Sequence, residues 1–133
     1  MPLSVLETVL YAEDLESAQW FYGTVLDLPL ISRHPTRQVF FRHGTGVLLI
    51  FAPRISASPG TSKMPVPPHG AHGPGHVAFA CEDAHTLDQW HARLVTHKIA
   101  IERDLTWPNG ARSVYVRDPA QNSVEFAERS LWP

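Results

Sequence analysis

At 133 residues the chain is long enough for one domain with a substantial core, or two small packed modules, and too short for two independent domains. Hydrophobic residues at 44% and charged residues at 18% are the proportions of an ordinary soluble globular protein; eleven Lys and Arg against thirteen Asp and Glu give a formal charge of -2, with no basic run to track a phosphate backbone, so nucleic acid is not an expected partner. The opening "MPLSVLETVLYAEDL" has no basic leader and meets Glu7 and Glu13, which predicts neither a signal peptide nor a membrane span and implies a cytoplasmic protein. Cys81, alone in an apolar run, excludes an internal disulfide and a thiolate zinc site.

The elements follow in chain order. "LETVLYA" is short, apolar and rich enough in β-branched and aromatic residues to predict a strand. Asp14 is placed to cap a helix in which Leu15, Ala18, Tyr22 and Val25 share one face. Three runs of strand length come next, "LPLISR", "RQVFFRH" and "VLLIFAP", with turn residues at "HGTG". The proline- and glycine-rich stretch "PRISASPGTSKMPVPPHGAHGPG" divides the chain near its middle, and the linker is expected at about 55–74. Beyond it "HVAFAC" predicts a strand, Asp83 a cap, and Leu87, Trp90 or His91, and Leu94 one face of a second helix. "IAIERD", "RSVYVRD" and "SVEFAE" predict three more strands, with a turn at "DPAQN".

The two halves therefore read as one βαβββ unit present twice, at about 5–54 and 75–129, within a single α+β domain. The early segments match at a numbering difference of 69, which pairs Glu7 with His76, Tyr11 with Ala80 and Asp14 with Asp83. The late segments match at a difference of 75, pairing Val39 with Val114, Arg42 with Arg117 and Phe51 with Phe126. The extra residues of the second copy fall around "DLTWPNGAR".

Side chains alternate between the faces of a strand. Val124 and Phe126 are the apolar set of the last strand and must meet the helix, so Ser123, Glu125 and Ala127 point the other way. Val77, Phe79 and Cys81 likewise leave His76, Ala78 and Ala80 on the opposite face, and Glu7 holds the place of His76 in the first copy. Three side chains able to bind a metal are thus expected on sheet faces that no helix covers. If two such sheets pair, those faces line a cavity.

Paired βαβββ modules, a ligand-type residue heading the first strand of each, "DLESAQWFYGTVLDL" and the closing "RDPAQNSVEF" together resemble the vicinal oxygen chelate superfamily, which includes glyoxalase I, extradiol dioxygenases, fosfomycin-resistance enzymes and metal-free bleomycin-resistance proteins. The resemblance implies curved mixed sheets, a homodimer and one divalent metal ion (Fe, Mn, Zn, Ni or Mg) held by Glu7, His76 and Glu125. It places the fourth ligand position of glyoxalase I on Ile50, which cannot bind metal, so a three-ligand site with positions open to substrate is expected. One histidine with two carboxylates favours harder cations. The implied activity is that of a small-molecule dioxygenase, lyase or isomerase acting on vicinal oxygens, with Glu125 as the candidate catalytic carboxylate. Arg112 and Trp107, in "TWPNGARSVY", are the candidate substrate-binding residues on the rim. His69 and His72 are expected to belong to the linker, and Tyr115, Tyr11 and Trp20 to packing. The competing function is a metal-free drug- or metabolite-binding protein using the same cavity.

Overall fold

A computed structural model describes residues 1–133. The chain forms two compact units, Met1–Pro74 and Gly75–Pro133. In the first, β1 (Glu7–Tyr11) leads to α1 (Leu15–Gln19), which runs on as a π-helical stretch (Trp20–Val25), and then to β2 (Leu30–His34), β3 (Gln38–His43), β4 (Gly46–Phe51) and the short α2 (Pro53–Ser56). The second holds β5 (His76–Cys81), α3 (Ala84–Thr96), β6 (Arg103–Thr106), β7 (Arg112–Arg117) and β8 (Ser123–Glu128), with a closing 3-10 turn (Arg129–Leu131). Each unit carries a four-stranded mixed sheet, in the orders β1-β4-β3-β2 and β5-β8-β7-β6, with the first pair parallel and the others antiparallel. The expected βαβββ unit is present twice.

Both helices begin where the sequence indicates. The Asp14 carboxylate accepts from the Ser17 N–H at 3.1 Å and that of Asp83 from the Thr86 N–H at 2.8 Å, each satisfying one of the donors a helix start leaves unpaired. Leu15, Ala18, Tyr22 and Val25 are buried, as are Leu87 and Leu94. The stretch after α1 widens to a π turn, with the Leu26 N–H reaching the Phe21 carbonyl at 2.9 Å. "IAIERD" departs from expectation: the strand starts only at Arg103. After α3 the chain turns through Lys98 at φ 60 and the Ile99 N–H bonds back to the Leu94 carbonyl, so Ile99–Ile101 are spent on leaving the helix.

The register corrects one alignment. In β1 and β4 Glu7 pairs with Val47 and Val9 with Leu49; in β5 and β8 His76 pairs with Ser123 and Ala78 with Glu125. The last strands therefore match at a difference of 76, so the counterpart of Glu125 is Leu49, not Ile50, and the counterpart of Phe51 is Ala127, not Phe126. The hairpin between β7 and β8 carries one residue more than that between β3 and β4, because "DPAQN" turns through Gln121 at φ 72 where "HGTG" turns through Gly44 at φ 49. Ile50 is 0% exposed on the helix-facing side with Val39, Phe41 and Leu48. Leucine cannot bind a metal either, so the fourth ligand position remains without a donor.

Candidate functional site

In the second unit the parity of the strands decides everything about the site. Phe126 lies on the α3 side, its ring stacked against Trp90 with centroids 5.4 Å apart, and Phe79 packs beside it at 5.9 Å. His76 and Glu125 consequently emerge together on the face that α3 does not cover. The Nε2 of His76 lies 3.2 Å from Oε1 of Glu125, and its Nδ1 lies 3.0 Å from the Ser123 hydroxyl. The Tyr115 ring stacks on the imidazole, with centroids 6.2 Å apart and planes 24° from parallel.

Glu125 is a carboxylate in a place where carboxylates are rare, 5% exposed in the middle of a sheet. Its partners explain why it is tolerated. Oε2 accepts from the Ser113 hydroxyl at 2.6 Å, and the Ser113 Oγ accepts from the indole N–H of Trp107 at 2.8 Å. An indole N–H can only donate, so the Ser113 oxygen must be its acceptor and the one Ser113 proton is directed at Glu125. Oε2 is thereby committed as an acceptor, and Oε1 is the oxygen that faces His76. Beside them the Tyr115 hydroxyl is held above its usual pKa, chiefly by burial and further by the charge of Glu125 and the hydrogen bond to it.

The Trp107 side chain is aimed by its turn. The Gly110 N–H bonds to the Trp107 carbonyl at 2.9 Å and Gly110 sits at φ 90, a conformation that favours glycine, which closes "WPNG" as a type I turn followed by a bulge. Asn109 also donates to the carbonyls of Ser130 and Leu131 at 3.3 and 3.4 Å, tying the closing 3-10 turn to this hairpin.

The other expected site residues fall as follows. Arg112 alternates with Ser113 and so lies on the α3 side with Val114 and Val116; its guanidinium donates to Asp88 of α3 at 2.9 Å and to both oxygens of Asp104 at 3.2 Å. The structure does not bring it to His76 and Glu125. Trp107 reaches them through Ser113. Glu7 heads β1 in the first unit and is exposed. His69 and His72 also belong to the first unit, where the Nδ1 of His69 meets the Tyr11 hydroxyl at 2.7 Å and its ring stands edge-on to Phe51 with centroids 4.7 Å apart. No group of three or more His, Cys, Asp or Glu side chains is arranged to hold a metal ion. The pair His76 and Glu125 nonetheless fits half of one: the far nitrogen of the imidazole is held by a hydroxyl and the far oxygen of the carboxylate by another, the outer support that metal-binding side chains have. Ser123 lies on the face the sequence assigns to it; Ser113 carries no expectation and Tyr115 only one of packing, although the parity argument, carried into "RSVYVR", puts both on the face of Glu125.

Residues 4–126 match the family model described as Glyoxalase/Bleomycin resistance protein/Dioxygenase superfamily. The chain belongs to this superfamily. A crystal structure of lactoylglutathione lyase from Agrobacterium tumefaciens is 42% identical in sequence, with a TM-score of 0.93 over 99% of this chain and 98% of that one. A glyoxalase/bleomycin resistance protein/dioxygenase from Nocardioides shares the fold at 23% identity, with a TM-score of 0.75 over 96% of this chain and 84% of that one. So does a glyoxalase family protein from Bacillus anthracis, at 19% identity and a TM-score of 0.72 over 96% of each chain. No curated protein matches the chain. No helix is long and apolar enough to cross a membrane.

Proposed function

We propose that the protein is a divalent-metal-dependent enzyme of this superfamily that acts on a small molecule with vicinal oxygens, as a lyase or isomerase. The observation that carries the reading is the convergence of His76 Nε2 and Glu125 Oε1 at 3.2 Å, with both side chains braced from behind by Ser123 and Ser113. Glu7, which heads its strand as His76 does, is the third ligand this reading requires, and the cation is one of Fe, Mn, Zn, Ni or Mg. When bound, such a cation stabilises negative charge developing on a substrate oxygen. The similarity to a protein named lactoylglutathione lyase supports chemistry of that kind over oxygen activation.

The residues of the chain then have distinct tasks. His76 presents the lone pair of Nε2 while Nδ1–H donates to Ser123. Glu125 offers Oε1 as ligand or as acceptor of a proton from substrate carbon, and the Ser113 bond to Oε2 steadies the carboxylate in either state. The Tyr115 ring covers one side of the imidazole and excludes water there. The protein would work as a homodimer in the cytoplasm, with a small molecule as its substrate.

The test is the metal content of untagged protein, by mass spectrometry, after reconstitution, beside His76→Ala/Glu125→Ala. Near-stoichiometric metal that vanishes in the double variant supports the reading, and assays for formation or breakdown of lactoylglutathione under that metal follow. A wild type that takes up no metal sinks it. One observation favours the alternative, a metal-free binding protein of the bleomycin-resistance type: His76 and Glu125 lie against one another directly, at 3.2 Å. The two differ in whether added metal raises stability, since a ligand bound only by the native state must do so.

A further inference from the structure

The two sheets are built alike, yet their helix-free faces are furnished in opposite ways. Register matches Val9, Tyr11, Leu49 and Phe51 of the first unit with Ala78, Ala80, Glu125 and Ala127 of the second. In the first unit the large side chains fill their face, and Tyr11 and Phe51 are further capped by His69. In the second, three of the four positions are reduced to a methyl group and the fourth is the candidate ligand. The Cβ atoms of Ala78, Ala80 and Ala127 therefore floor a space that the same fold fills elsewhere.

That space is a cavity of about 200 Å³ lying along β5 and β8, with Glu125 at one end and Leu131 and Trp132 at its rim. Glu125 to Ala127 is two residues along a strand, roughly 7 Å. The volume corresponds to about seven waters at ~30 Å³ each, room for a short acyl chain or one aromatic ring. Of its charged neighbours, Arg129 donates through Nε to Glu82 at 2.8 Å on the exposed rim, and Glu128 accepts from the Arg112 backbone N–H at 3.0 Å. The floor itself offers only methyl groups. Trp132, 83% exposed, follows directly on the backbone that Asn109 ties down at Ser130 and Leu131.

We infer that this alanine-floored slot receives one substituent of the substrate beside the vicinal oxygens, and that it selects a short, apolar, preferably aromatic group there. This rests on the reading of His76 and Glu125 as ligands, and adds to it the class of substrate. Continuity supports this occupant: Ala78 is the strand partner of Glu125, so a molecule whose oxygens lie at that carboxylate can extend directly over the alanines.

The test uses two vicinal-oxygen probes, acetohydroxamate and benzohydroxamate, titrated into the ¹⁵N-labelled full chain with and without Zn²⁺. Benzohydroxamate is expected to shift the amides of Ala78, Ala80 and Ala127 and the indole of Trp132, and to bind at least about tenfold more tightly than acetohydroxamate. Ala80→Tyr, which restores the residue found in the first unit at an exposed position, should abolish that preference, and the milder Ala80→Val should reduce it. Equal affinities, shifts centred on the cavity beside His69 and His72, or a preference that survives Ala80→Tyr would each overturn the slot. So would shifts of the same resonances that follow protein concentration rather than probe, which would give the surface to a second copy of the chain. Failure of the metal reading looks different: Zn²⁺ would strengthen neither probe in wild type while the aromatic preference persisted.

Discussion

Ser113→Ala isolates the shortest of the contacts that make a buried carboxylate acceptable at position 125. The substitution removes an oxygen and nothing else, so no sizeable cavity forms, but Glu125 Oε2 loses a donor at 2.6 Å while remaining 5% exposed. A hydrogen bond to a charged group is worth about 1.5–3 kcal/mol, and the Trp107 N–H, on a half-buried side chain, can turn to water; a loss of about 2 kcal/mol is expected. Trp107→Phe should cost about 1 kcal/mol, because Ser113 keeps its proton on Glu125 and loses only the donor that fixes its direction. Urea titrations followed by tryptophan emission and far-ultraviolet dichroism give both values, provided the slope with denaturant is unchanged. Ser113→Ala within about 0.5 kcal/mol of wild type, or costing less than Trp107→Phe, would refute the directed relay.

Other perturbations read different parts of the same reasoning. Arg112→Gln should leave metal content and hydroxamate affinity within twofold of wild type, because its guanidinium serves Asp88 and Asp104, and should cost at most about 1 kcal/mol of stability; lost ligand affinity in calorimetry would restore it to the site. Burial, with smaller contributions from Glu128, Asp83 and Glu82, pushes the Cys81 thiol from 9.0 up to about 11. The folded chain then keeps a proton that the unfolded chain has lost, so stability should fall as pH rises from 9.0 toward about 11, and Cys81→Ala should flatten that fall in denaturation midpoints. The Thr86 N–H and hydroxyl hold the Asp83 carboxyl below its ordinary 3.8, so its contribution is present above that value and lost as pH drops through the depressed one. Asp83→Asn should keep the cap and flatten the acid limb, whereas Asp83→Ala should weaken α3 at every pH; equal acid limbs in wild type and Asp83→Asn would contradict this.

Much of the fold was legible because it rests on short-range rules. Asp14 and Asp83 cap helices wherever such a residue precedes an apolar period, and the alternation in "HVAFAC" and "SVEFAE" placed His76 and Glu125 on one face before any contact was known. The same rule applied to "RSVYVR" assigns Ser113 and Tyr115 to the site and sends Arg112 to the helix side. Read locally, Arg112 is a free cation beside an aromatic residue, and nothing local reveals that Asp88, 24 residues away, takes its charge.

Sequence alone, then, determined the repeated βαβββ unit, its capped helices, the facing of His76 and Glu125 and the superfamily resemblance, since all of these follow from periods of two and 3.6 residues and from matching segments. Tertiary structure decided the rest. A one-residue difference in hairpin length moves every side chain of the following strand to the other face, so only the observed pairing could exchange Ile50 for Leu49 and set Phe51 against Ala127. Which partner satisfies a buried or charged group is likewise a matter of distance across strands. That is why the Trp107, Ser113 and Glu125 relay, the pairing of Arg112 with acids, and the emptied floor of the second sheet appear only once the strands are laid side by side.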